Sequence, residues 1–159
     1  MTETDDTADL RALVGMPAAE FVLHREPMLF LDRLIDIGAD FAACEWRFGP
    51  DFEFFVPGFG VPGYAGVEFM AQCVAVHAGA RARVKGFIPP VGYLLGTRHY
   101  KCSVAWFDAG VTYQSTCQEL LRDSQGMGSF ACRILADGES IAAANLAVLE
   151  RPQEIRLDE

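Results

Sequence analysis

The chain has 159 residues, 51% of them apolar, and its 22 acidic against 13 basic side chains give a formal net charge of -9. That length fits one domain able to bury a sizeable core, and the acid excess argues against a nucleic-acid binder. Residues 1–10 are acidic and polar where a secretory leader would be basic and then apolar, and the uncharged run 69–80 is too short to cross a bilayer, so a soluble cytoplasmic protein is expected.

In chain order, residues 1–8 read as a disordered acidic lead and 153–159 as a polar tail, leaving 9–152 as a single domain. Residues 9–13 and 17–21 are short helical candidates, and Val22-Leu-His-Arg-Glu-Pro27 leads through its proline into extended chain. The run 28–37 fits helix or strand by pattern alone. The turn at Gly38-Ala-Asp40 and the strand-like 41–48 favour a hairpin. A long helix is expected over about 63–84, entered through Pro62, Gly63 and Gly66, with Gly79 a candidate stop inside it. After a loop at 86–90, strands are expected over 91–103 (broken at Gly96), 111–122, 128–135 and 141–149, the last two joined by Asp137-Gly138. Two strands, one long helix and four more strands form an α+β order with an antiparallel sheet.

The helix carries the most informative chemistry. Glu68 falls in its first turn and shares a face with Gln72, four residues on, while Val67, Met70, Ala71, Val74 and Ala78 recur as a packed stripe. A helix apolar on nearly all sides is buried, and a carboxyl beside such a surface is a candidate acid; a first-turn carboxylate held by the helix dipole is the plainer alternative. The five cysteines are odd in number and widely spaced. They form no C-x-x-C pair, so they read as small core residues, and no metal or cofactor is signalled. Between Glu68 and Asp108 every charged residue is basic: Arg81, Arg83, Lys85, Arg98 and Lys101. These either suit a helix end and strand ends or form a docking patch for an anionic partner.

Three motifs resemble the hot-dog-fold β-hydroxyacyl-(acyl carrier protein) dehydratases, especially the dehydratase-like proteins of aryl-polyene clusters. They are Leu23-His-Arg-Glu-Pro-Met-Leu-Phe-Leu-Asp-Arg33, Pro62-Gly63 with Glu68-Phe-Met-Ala-Gln72, and Leu95-Gly-Thr-Arg-His-Tyr-Lys101. The resemblance implies a hot-dog fold: a long central helix wrapped by a curved antiparallel sheet of about five to six strands. It also implies dimers with an acyl-thioester tunnel at the interface and no cofactor. Mapped onto matching positions, Glu68 is the acid, Gln72 orients it, and the amides of Gly63 and Gly96 polarise the thioester carbonyl. Tyr64, Phe54 and Phe55 would touch substrate, and the five cations would dock the carrier.

The family's base does not map, because its H-F-P-G falls near Phe55-Val-Pro-Gly58 and Phe54 and Phe55 stand where histidine is expected. Of the three histidines, His77 lies half a turn round the helix from Glu68 and reads as packing or surface; His99 reads as solvent- or partner-facing. His24 is the candidate substitute base. Enzyme status is therefore open: dehydration, alone or in a homodimer or a hetero-dimer whose other hot-dog subunit supplies histidine, stands beside a non-catalytic acyl-binding module and an acyl thioesterase.

Overall fold

The computed structural model describes the backbone of residues 3–151 and 155–158 and the side chains from residue 6 on. Helix α1 (Glu3–Arg11) opens the chain, so most of the lead expected to lack structure is helical; Met1 and Thr2 lie outside the described residues. A short 3-10 turn (Ala18–Glu20) follows. The hairpin of β1 (Arg33–Ile37) and β2 (Phe41–Trp46) resolves the 28–37 ambiguity in favour of strand. Then come the two-residue β3 (Val61–Pro62), a 3-10 turn (Gly63–Ala65) and α2 (Gly66–Val84), with β4 (Val91–Cys102), β5 (Trp106–Phe107), β6 (Tyr113–Arg122), β7 (Met127–Ala136) and β8 (Glu139–Arg151) completing the chain. Of the expected tail, residues 155–158 are placed, with Ile155 accepting from the Ile88 amide and Leu157 donating to Gly86; 153, 154 and 159 are outside the described residues.

Six antiparallel strands in the order β1-β2-β6-β7-β8-β4 wrap α2, while β3 and β5 make a separate two-strand pair. The alternating burial of β2 and of the first half of β6 puts every second side chain against the helix. At the centre the Trp46 ring stacks on Phe69 of α2 at 3.8 Å and on Tyr113 at 4.5 Å, with Phe107 edge-on at 5.4 Å. The Trp46 indole N–H finds Ser115 Oγ at 2.9 Å, so the buried ring leaves no polar group unpaired. Each such buried aromatic contributes roughly 1.5–3 kcal/mol from apolar area alone. Cys44, Cys73, Cys117 and Cys132 are buried free thiols, as a core reading requires, and the Cys73 thiol meets the Ala42 and Ser115 carbonyls.

Gly79 does not stop α2 but sits inside it, because the backbone of Phe21 crosses there: a Cβ at that position would lie 1.7 Å from the Phe21 carbonyl oxygen. That contact lays residues 21–24 along the helix, toward its N-terminal end.

The two edges of the sheet differ. The β1 edge is covered by its own chain, through the amides of Gly15 and Ala18, the Met16 carbonyl and a bridge between Pro17 and Arg33. The β4 edge is exposed at every residue from Gly92 to His99. Among the described residues no helix is long and apolar enough to cross a membrane.

Candidate active site

Glu68 stands in the first turn of α2, and its position is set by Gln72 one turn later. The Gln72 amide nitrogen donates to Glu68 Oε1 and to the Met28 carbonyl, both at 2.8 Å, while its oxygen accepts from the Phe30 amide at 2.8 Å. Both N–H bonds and the carbonyl of this buried amide are thus used, and the side chain clasps the extended residues 28–30 as a strand neighbour would. The proline-containing motif serves this clasp: the chain turns between Arg25 and Met28, where the Met28 amide bonds the Arg25 carbonyl, and the Arg25 guanidinium donates to the carbonyls of Val22 and His24. Oε1 accepts from Gln72, and Oε2 has no hydrogen-bond partner among the described residues, which leaves it the oxygen open to a substrate.

The same turn presents His24 to Glu68, with Nε2 3.8 Å from Oε1. That distance is too long for a direct hydrogen bond. The imidazole is therefore not spent on the carboxylate, and its Nδ1 is buried without a partner among the described residues. The two side chains keep 35% and 38% of their surface exposed. The candidate acid is thus left more than a third exposed by its own chain.

Glu68 and His24 open onto a groove of ≈ 440 Å³. Its floor is one face of α2 (Glu68, Ala71, Gln72, Val74, Ala75, Ala78), one wall is residues 21–24 and the other is the paired ends of β4 and β8 (residues 90–94 and 148–150). Ala71, Val74 and Ala78, read from sequence as a packed stripe, are packed in or against the core and also border this groove, and their small side chains help to make the space. From Glu68 to Ala78 the floor runs about 15 Å. At its far end Glu150 belongs to an ion network on the concave face: Arg122 bonds Glu150 at 2.7 Å and Glu119 at 3.1 Å, and Arg81 of α2 approaches Glu119 at 4.0 Å.

Several expected site residues fall elsewhere. The Gly63 amide is already committed to the Ala105 carbonyl at 2.8 Å, and its own carbonyl accepts from the Tyr100 hydroxyl, so it cannot polarise a thioester as expected. A glycine is required there because a Cβ would lie 2.5 Å from the Val104 oxygen. Gly96 lies on the bare β4 edge just past a bulge, off the groove wall. Tyr64 is 79% exposed and also off the groove. Phe54 packs on Phe30 at 5.3 Å and Phe55 on Phe48 at 6.3 Å, in an aromatic cluster behind Gln72 rather than in the cavity.

The five cations do not form one patch. Tyr100 meets Gly63 at the start of α2, so Arg98 and Lys101 lie at that end, while Arg81, Arg83 and Lys85 lie at the other end of a helix about 28 Å long. Arg81 and Arg83 are also paired, with Glu119 and Glu20 at 4.0 and 3.2 Å.

His77 is buried beneath β7, with Nε2 3.2 Å from the Gly38 carbonyl and Phe130 edge-on. Burial, and then the charge of Arg81, hold its protonation below the ordinary imidazole range. It is a core residue remote from Glu68, and His99 is exposed in a β4 bulge.

A family model described as ApeP-like, ApeP dehydratase, matches residues 16–157. Among solved structures, the dehydratase heterocomplex ApeI:P from Xenorhabdus doucetiae aligns with a TM-score of 0.80 and 25% identity, over 90% of this chain and 95% of that one. AziG of S. sahachiroi (TM-score 0.57, 12% identity, 76% and 90% covered) and the E. coli PaaI protein from the phenylacetic acid degradation operon (0.58, 14%, 77% and 80%) share the hot-dog fold alone. No curated protein sequence matches this chain.

Proposed function

The chain belongs to the ApeP-like dehydratase family, and from that premise we propose that it eliminates water from 3-hydroxyacyl thioesters carried on acyl carrier protein, giving the 2-enoyl thioester. The observation that carries this reading is Glu68, held on one oxygen by Gln72 at the mouth of an apolar groove. A β-elimination needs a proton removed from C2 and a proton given to the C3 hydroxyl as it leaves as water. Glu68, through its open Oε2, serves as the acid. His24 is the nearest base, its Nε2 3.8 Å from the Glu68 carboxyl at Oε1, so both groups front the same mouth of the groove. The acyl chain beyond C3 follows the alanine floor of the groove.

A second reading has its own support, because the similar ApeI:P assembly is a heterocomplex and this chain leaves Glu68 and His24 more than a third exposed. In that form the bare β4 edge pairs with a second hot-dog subunit, which covers the carboxylate and contributes the base. Carrier docking then falls to Arg98 and Lys101 at the Glu68 end, because the phosphopantetheine arm must reach the thioester there; Arg81, Arg83 and Lys85 lie too far along α2. The setting is the cytoplasm, and the synthesis served is of the fatty-acid or aryl-polyene type.

Turnover of a 3-hydroxyacyl carrier protein by the purified chain, lost in His24→Ala, supports the in-chain pair. No turnover alone, with turnover restored by a second hot-dog subunit and lost again in Glu68→Gln, supports the shared site. Release of free acid without enoyl product would overturn both in favour of a thioesterase.

A further inference from the structure

The outer face of the sheet, turned away from α2, differs in character from the rest of the chain. Ala142, Ala144 and Leu146 of β8 are buried against the helix, so by alternation residues 143, 145, 147, 149 and 151 point outward. Cross-strand partners share that side. Ala143 therefore has Lys101 of β4 and Arg133 of β7 beside it, Asn145 has Arg98, and Arg151 closes the opposite end of β8. Between these ends Leu149 is flanked by Tyr93 and Met127, and Leu121 of β6 joins the next row through Ser129 and Ala147.

Over these rows every charged residue is basic, in a chain of net charge -9. Among the described residues none of Arg98, Lys101, Arg133 and Arg151 has an acidic partner. The acidic helix α1 packs against α2 and β1 on the inner side of the sheet, and screening over about 8–10 Å keeps its charge from cancelling the basic face. The apolar side chains are left uncovered as well, Leu121 at 68%, Tyr93 at 50% and Met127 at 40% exposure. An uncovered apolar patch bordered by charge marks a surface that something else covers. The pattern selects the kind of anion, because the cations stand at both ends of the face, about 27 Å apart from residue 143 to 151, with the apolar groups between. A membrane surface meets it directly: mobile anionic headgroups gather at each end while the apolar side chains enter the boundary below them, tyrosine at the depth it favours. A folded acidic protein would need carboxylates fixed at both ends of an apolar centre.

We propose that the outer face of β4, β8 and β7 is a peripheral binding surface for an anionic lipid membrane, its four cations on the headgroups and Tyr93, Leu121 and Met127 in the interface. The chain lies on the bilayer without crossing it. This goes beyond the reaction proposed above and does not depend on it. Arg98 and Lys101 also serve the carrier in that reading, so the test turns on Arg133, Arg151 and Leu121.

The full chain is mixed with vesicles of phosphatidylcholine alone, or of equal parts phosphatidylcholine and phosphatidylglycerol, and the bound fraction is read by flotation. Binding to the anionic vesicles only, weakening as salt is raised, is expected. Arg133→Gln with Arg151→Gln should weaken it about 30-fold, roughly fivefold for each cation. Leu121→Gln should weaken it too, without changing the response to salt. All three side chains are exposed, so melting temperatures should stay where they are. No binding to either vesicle, equal binding to both, or anionic binding that survives the double arginine variant overturns the proposal. Saturable binding of purified acyl carrier protein, lost in that variant while vesicles bind nothing, overturns it in favour of an acidic protein. Self-association lost in Leu121→Gln, again without vesicle binding, gives the face to a second copy.

Discussion

The two ends of the groove hold a carboxylate each, and they hold it differently. Glu68 is bonded by a neutral amide and stands 3.8 Å from an imidazole, with more than a third of its side chain exposed; Glu150 is bonded by a guanidinium at 2.7 Å and is mostly covered. An amide N–H bonds a carboxylate and a carboxylic acid alike, so the Glu68 end accommodates a proton coming and going. The guanidinium, tied to two carboxylates, fixes β6 to β8 and holds the far end of the groove in shape. One end is arranged for chemistry at little structural cost, and the other for structure. Substitutions near Glu68 should therefore alter rate and spare stability, and substitutions near Ala78 to Arg81 should do the reverse.

The largest effect expected is on rate. Glu68→Gln should lower turnover of a 3-hydroxyacyl carrier-protein substrate by at least about 100-fold, roughly 2.7 kcal/mol in the barrier, while its melting temperature stays near that of the unaltered chain. A large loss of melting temperature would break the contrast. At the opposite end, Gly79→Ala drives a methyl into the Phe21 carbonyl, where a Cβ would lie 1.7 Å away, and should cost about 2–3 kcal/mol in urea unfolding as α2 and residues 21–24 separate. Arg122→Leu leaves Glu150 and Glu119 without their common partner. A loss of about 1–2 kcal/mol by the same measurement is expected, since these groups are partly covered and Arg81 remains near Glu119.

The smallest effect is a pH dependence from His77. Its protonation is held below the ordinary value of 6.5 in the folded chain by burial and then by Arg81, so the unfolded chain takes up the proton first as pH falls. Stability from this group is thus present above pH 6.5 and lost progressively below it. Melting temperatures at pH 7.5 and 5.5 should differ by less in His77→Gln, which retains a donor for Gly38, than in the unaltered chain; equal differences would remove His77 as the source.

Much of this architecture is legible before any coordinates, for local reasons. The Asp137-Gly138 turn between apolar runs specifies a hairpin, and the run from Val67 to Val84 has no residue that forbids a helix. Glu68 and Gln72 are visible as a pair because four residues is one turn. What escapes depends on contacts distant in sequence. That the Gly63 amide is spent on Ala105, 42 residues later, has no local signal, and neither does the two-residue pairing of Val61–Pro62 with Trp106–Phe107. The cations look contiguous along the chain only because a helix and a strand running back beside it are written consecutively; in space they part to its two ends. The groove itself is set by where residues 21–24 and 148–150 come to lie, although Ala71, Ala75 and Ala78 at helical spacing were a signal that a face of α2 is too small to be filled from within.

The sheet has one margin sealed by residues 15–18 and the other unsealed along β4. A single unsatisfied margin can recruit a neighbour only once. When two such margins meet, each saturates the other and no template for further addition remains, so growth terminates at a closed pair instead of propagating as a ribbon.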